Sequence, residues 1–130
     1  FKIMTDEAHQ FFEDNLNTLT AAGIDRDCIA IDQGLGYANA QVKNDDQDYV
    51  IMNNTDQFND LERPMMVAVS RKGYMAKLLG LKKDERLPMT LVSEVAMIQK
   101  GGKIIRVHDV KETRQMVTLL DRINQGYWLA

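Results

Sequence analysis

The residues best suited to chemistry lie together in Lys103-Ile104-Ile105-Arg106-Val107-His108-Asp109-Val110. Ile105 and Val107 alternate with Arg106 and His108, which reads as a short β-strand with Arg106 and His108 on one face. Asp109 follows in a favourable N-cap position with Glu112 three residues later as its capping-box partner, so a helix is expected to begin there. An arginine, a histidine and the free N–H groups of that helix would then converge on one spot, the components of an anion site. The same residues also suit a surface strand with a polar outer face and a capped helix behind it. On this stretch alone the two readings stand even.

Two other apolar runs end in polar groups. Residues 28–32, Cys-Ile-Ala-Ile-Asp, close on Asp32 and lead into Gln33-Gly34-Leu35-Gly36-Tyr37. Near-continuous apolar runs mark strands covered on both faces, as in parallel sheets, and the C-terminal ends of such strands carry the working residues of α/β folds. Gly34 and Gly36 let the loop turn sharply and let a ligand approach the backbone. The third glycine of a dinucleotide fingerprint is missing, because Asn39 holds its place. The second run, residues 65–69, follows Pro64 and ends in Ser70-Arg71-Lys72-Gly73.

Helices must position these strand ends. The pattern predicts a helix from Thr5 to Ala22 that buries Phe12, Leu16 and Leu19 and stops at Gly23. A helix is also expected within the polar segment 44–60, despite Asn53-Asn54-Thr55. Tyr74 to Leu79 should form about two turns closed by Gly80. Another helix should start at Pro88, be lined by Leu91, Val95 and Ile98, and end at Gly101-Gly102. The last should run from Val110 to about Ile123, burying Met116, Val117, Leu119 and Leu120, with Trp128 in the tail covering the open end of a core. The order is a helix, then strand and helix three times over, which predicts an α/β fold. In a parallel arrangement all three strand ends fall on one edge of the sheet. A carboxylate, a lysine and an Arg/His pair gathered there describe a pocket for a polar heterocycle joined to an anionic group.

Composition narrows the classes. The 130 residues carry a net charge of −3, which gives no basic stripe for nucleic acid. No apolar run approaches the ~20 residues of a membrane span, and no charged-then-apolar leader points to secretion. The single cysteine, Cys28, is expected to be a buried thiol in a reduced, cytoplasmic setting. His9 is expected to be a solvated side chain, and residues 82–86 a solvated charged loop. Asp45, Asp46 and Asp48 lack the glycine and the closing glutamate of a calcium loop. The sequence starts at Phe1 and enters a helical pattern at once, so it is expected to be a piece of a longer chain.

Ile31-Asp32-Gln33-Gly34-Leu35-Gly36-Tyr37, Val69-Ser70-Arg71-Lys72, Glu85-Arg86-Leu87 and Ile105-Arg106-Val107-His108-Asp109-Val110 resemble, in order and spacing, the C-terminal half of the dihydropteroate synthase family of pterin-binding enzymes. The resemblance covers essentially the whole chain. It implies that residues 1–130 are the C-terminal part of a TIM (β/α)8 barrel, about three βα units preceded by a helix. The implied reaction, in folate biosynthesis, joins 6-hydroxymethyl-7,8-dihydropterin pyrophosphate to p-aminobenzoate. By the same resemblance Asp32 would hydrogen-bond the pterin and Lys72 its carbonyl side. Arg106 would lie against the pterin plane near the pyrophosphate, and His108 would hold the leaving pyrophosphate. Gly34, Gly36, Tyr37, Ser70, Arg71 and Gly73 would complete the substrate surface, Tyr37 on the p-aminobenzoate side. Mg2+ is implied as cofactor with its ligand in a preceding half, and a homodimer or association through sheet edges is implied for the assembly.

The sequence departs from the family pattern at four places. Gln33 stands for a proline, Ala38 and Asn39 for a glycine and a lysine, and Gly73 for a serine near the p-aminobenzoate carboxylate. Two alternatives therefore remain: a catalytically silent pterin-binding paralogue or interaction module, and a pterin-dependent methyltransferase barrel.

Overall fold

The computed structural model describes residues 2–37 and 46–126. The elements in chain order are helix α1 (Lys2–Ala21), strand β1 (Ile31–Asp32), helix α2 (Gln47–Asn53), strand β2 (Met65–Val67), helices α3 (Tyr74–Leu79) and α4 (Leu87–Gln99), strand β3 (Gly102–Ile105) and helix α5 (Val110–Gln125). Three 3-10 segments, Arg26–Cys28, Thr55–Leu61 and Lys83–Glu85, join them. Ala38, Asn39, Asp45 and Trp128 lie outside the described residues.

The strands form one parallel sheet in the order β1-β2-β3. Met65 pairs with Gly102 and Met66 with Ile104, so the register slips by a residue at Lys103 before Val67 meets Ile105. Gly102 is required where β3 passes β2: a Cβ there would collide with the Val67 side chain and sit 3.0 Å from the Met97 carbonyl oxygen. Apolar residues pack on the helical side in two groups. Phe12, Leu16, Ile31, Phe58, Leu61 and Met65 form one, and Leu35, Val67, Val69 and Met97 the other. Each fully buried side chain of this size contributes roughly 1.5–3 kcal/mol.

Several boundaries fall where the sequence predicts. Gly23 ends α1 at φ +94°, and Gly80 closes α3 at φ +68° with its N–H donating to the Ala76 carbonyl. Pro88 lies in the first turn of α4, where its missing N–H costs nothing.

Other expectations are corrected. Cys28 is exposed, not buried. Asp25 accepts a hydrogen bond from the Asp27 N–H and curls residues 26–28 into a 3-10 turn, which shortens β1 to two residues. His9 is paired, its Nε2 lying 2.8 Å from Asp60 Oδ1. On α4 the buried stripe is Thr90, Glu94 and Met97, not Leu91, Val95 and Ile98. On α5 Leu120 is buried while Leu119 is 63% exposed. Leu119 instead shares an open groove with Val110 and Arg114 on the outer face. Among the described residues no helix is long and apolar enough to cross a membrane.

Candidate functional site

The site begins where β2 and β3 end. The strand ladder continues one residue past β3, because the Arg106 N–H donates to the Val67 carbonyl oxygen at 2.9 Å. That bond fixes the height of the next residues and brings residues 70–71 beside residues 108–109. Ser70 Oγ lies 2.8 Å from His108 Nδ1 and accepts from the His108 backbone N–H at 3.3 Å. One residue on, Arg71 clamps Asp109: Nε to Oδ2 is 3.1 Å and Nη2 to Oδ1 is 2.6 Å. Two-point contacts of this kind fix orientation as well as distance.

Asp109 therefore does not cap α5 with its side chain, and the expected capping box is absent. Its carboxylate has a charged partner with two matched donors, which outcompetes a single backbone N–H. The Arg71 guanidinium holds the Asp109 carboxyl below the usual carboxylate range, and Asp109 raises the Arg71 pKa in return.

The turn that carries Arg71 is unusually well tied. Arg71 has φ +55°, uncommon for a residue with a side chain. Its N–H donates to Thr90 Oγ1 at 3.0 Å, and its carbonyl accepts from Arg86 Nη1 at 2.9 Å. Arg86 also reaches the Leu81 carbonyl, and Glu85 accepts from the Lys82 N–H. Arg86 thus braces the β2 turn from behind. Thr90, on the inward stripe of α4, explains why that helix presents a polar face inward.

Ala68, Ser70, Arg71, Lys72, Lys83, Arg106, Val107 and His108 line a cavity of about 330 Å³. Four cationic side chains and a histidine face it, and no carboxylate lines it among the described residues. Such a surface attracts a multiply charged anion. Lys83 had no distinguishing signal in sequence, since it sits in a charged run read as solvated loop; only the path of residues 80–86 brings it to the cavity.

The loop after β1 reaches the same place from the side. Lys72 Nζ lies 4.6 Å from the centre of the Tyr37 ring, within cation–π range. A Cβ at Gly36 would sit 2.6 Å from Lys72 Cδ, and Gly36 has φ +82°. Asp48, buried on α2, accepts from the Gly36 N–H at 3.0 Å and pins the loop down. Gly73 is exposed at the start of α3, its carbonyl accepting from Ala76 and Lys77.

Asp32 stands apart from this cavity. Its Oδ1 accepts from the Gly34 N–H at 2.9 Å, and it lines a separate cavity of about 420 Å³ with Phe11, Phe12, Ile51 and Phe58. The strand ends of β2 and β3 meet directly, while β1 contributes through Gly36 and Tyr37.

One further buried acid was not legible in the sequence. Glu94 is fully buried between α4 and α5; its Oε2 accepts from Thr113 Oγ1 at 3.2 Å, and Oε1 has no partner among the described residues. Burial pushes its pKa up. Burial likewise pushes the Tyr74 phenol up to about 12.

Parallel βα units with a cation-lined cavity at the strand C-terminal ends define a segment of an α/β barrel. The family model described as pterin binding enzyme matches residues 2–108, and the chain belongs to that family. It is 36% identical over 106 residues to the dihydropteroate synthase of Bacillus subtilis (strain 168), which covers 81% of this chain and 36% of that one. Against the dihydropteroate synthase of Escherichia coli (strain K12) the identity is 30% over 115 residues, 88% of this chain and 39% of that one. The crystal structure of the Yersinia pestis dihydropteroate synthase superposes with a TM-score of 0.85 at 28% identity, covering 95% of this chain and 56% of that one. A structure of the same Yersinia pestis enzyme is a complex with a sulfonamide drug. The chain thus spans well under half the length of the curated relatives it matches.

Proposed function

We propose that residues 1–130 are the C-terminal part of a dihydropteroate synthase and supply its pyrophosphate side. The observation that carries this reading is the cavity lined by Lys72, Lys83, Arg106 and His108, with no carboxylate among its described lining residues. In the reaction a C–N bond forms between the p-aminobenzoate amine and the pterin methylene carbon. The C–O bond to pyrophosphate breaks, its electron pair leaves with the pyrophosphate, and the amine proton is released. Charge grows on the leaving oxygen, so cations fixed beforehand at that point stabilise the transition state more than the ground state.

Arg106, His108 and Lys72 are the residues placed for that work, with Lys72 also reaching the pterin. Tyr37 and Gly73 lie on the p-aminobenzoate side of this reading, and Asp32 on the pterin side. The polar groups of Ser70 and Arg71 are spent inside the protein, so they shape the pocket. Magnesium has no cluster of three or more His, Cys, Asp or Glu side chains to hold it among the described residues. Its ligands belong, in this reading, to a preceding part of the barrel. The same reading places the enzyme in the cytoplasm as a pair of subunits, and makes the 130-residue piece inactive alone.

The separate position of Asp32 favours a second reading, a pterin-binding paralogue without turnover. A pterin-dependent methyltransferase would have no use for a cavity walled by cations. Calorimetric titration of the full-length protein with a dihydropterin pyrophosphate analogue distinguishes these. Arg106→Ala and Lys72→Ala should each weaken binding at least tenfold, about 1.4 kcal/mol. Unchanged affinity in both variants would overturn the assignment of this cavity. Binding without turnover of the intact protein would favour the silent paralogue.

A further inference from the structure

We propose that Ser70 is the positioning residue that sets the tautomer of His108. Ser70 is 7% exposed, and its hydroxyl has one proton to give. The His108 backbone N–H already donates to Ser70 Oγ. The ring atom His108 Nδ1 stands 2.8 Å from the same oxygen. If Nδ1 carried a proton, Oγ would accept twice and its own hydrogen would find no acceptor among the described residues in a nearly buried site, which is costly. The consistent arrangement has Oγ–H donating to Nδ1, which leaves Nδ1 bare and the proton on Nε2. Nε2 has no partner among the described residues and belongs to a ring that lines the cation-walled cavity.

Asp109 is the residue that would ordinarily compete for this role, being adjacent to His108 and negatively charged. Arg71 occupies both of its carboxylate oxygens. The serine is thereby left as the only side chain hydrogen-bonded to the imidazole among the described residues. Ser70 and Arg71 work as consecutive partners of His108 and Asp109. One fixes which ring nitrogen donates, and the other removes the carboxylate that would reverse it. The outcome is an Nε2–H donor presented to the oxygens of an anionic ligand, alongside Arg106 and Lys72. Its use on pyrophosphate rests on the function proposed above; the tautomer itself does not.

The test is nitrogen-15 NMR of the histidine rings in the full-length protein, with the His108 signals identified as those missing from a His108→Gln variant. The wild type should show the Nε2-protonated pattern for His108 without ligand. Ser70→Ala should lose that single pattern and Ser70→Thr should restore it, with backbone spectra reporting that each variant is folded. An Nδ1-protonated ring in the wild type overturns the proposal. So does an unchanged ring pattern in Ser70→Ala. If Ser70→Ala does not fold, the wild-type and Ser70→Thr spectra still decide it, since both must show Nε2–H. Inorganic pyrophosphate should then shift the Nε2 signal. An intact ring pattern that ignores pyrophosphate keeps the positioning role and overturns the pyrophosphate assignment of the cavity.

Discussion

Arg71 grips Asp109 through two parallel hydrogen bonds of 3.1 and 2.6 Å, and in doing so ties the turn after β2 to the start of α5. The Asp109 pKa is lowered in the folded protein, chiefly by the hydrogen bond from Arg71. A depressed carboxyl pKa means that the native state binds its proton less readily than the unfolded chain. The stabilisation is therefore present above the ordinary aspartate range and is lost as pH falls through the lower, folded value. Thermal unfolding followed from pH 7 to pH 3 should show Asp109→Asn with a shallower loss than wild type. Parallel curves would mean the pair contributes nothing measurable to folding.

Glu94 has the opposite sign. Its raised pKa comes first from burial, so the native state holds the proton more tightly than the unfolded chain. Its contribution is favourable below the ordinary glutamate range and is lost as pH rises through the folded value. Glu94→Gln, which cannot ionise, should match wild type near pH 4 and exceed it at pH 8 by on the order of 1 kcal/mol, a few degrees in Tm. A variant less stable than wild type at pH 8 would show that the carboxylate has a partner there.

Gly36 and Gly34 separate backbone strain from site geometry. Both have positive φ, at +82° and +67°, so alanine at either should cost about 1–2 kcal/mol of stability. Only at Gly36 does the new methyl meet Lys72, 2.6 Å from Cδ, while the space at Gly34 is open. Pyrophosphate affinity measured by calorimetry should fall several-fold in Gly36→Ala and stay within twofold in Gly34→Ala. Equal losses would place Lys72 outside the binding surface.

Lys83 reaches the cavity from the exposed segment before α4. An exposed charge contributes modestly and is screened by salt. Lys83→Ala should weaken pyrophosphate binding about two- to fivefold at low ionic strength, with the difference shrinking as salt is added. Loss as large as that of Arg106→Ala, or none at low salt, would contradict a peripheral role.

How much was legible follows from the range of the forces involved. Helix ends at Gly23, Gly80 and Pro88 were readable because φ restriction and a missing N–H act within a few residues. The parallel α/β order was readable because apolar runs and helical periodicity are local patterns. The grouping of Ser70, Arg71 and Lys72 with Arg106 and His108 was readable as residue types at strand ends, since parallel strands must align those ends.

Partner choice was not readable. Asp109 looked like a helix cap because its neighbours favoured one; tertiary structure supplied Arg71, with two charged donors in place of one backbone N–H. Cys28 looked like core because it begins an apolar run, but Asp25 curls that run into a turn before the strand starts. The inward stripe of α4 could not be chosen from periodicity, because Thr90 and Glu94 face inward to hold the Arg71 turn and Thr113. Lys83 and Asp32 exchange expected places for the same reason. The sequence by itself determined the elements, their order and the charges available at each strand end. Which charges meet was decided by the β2–β3 register and by competition among polar partners far apart in the chain, and those terms exist only once the sheet has formed.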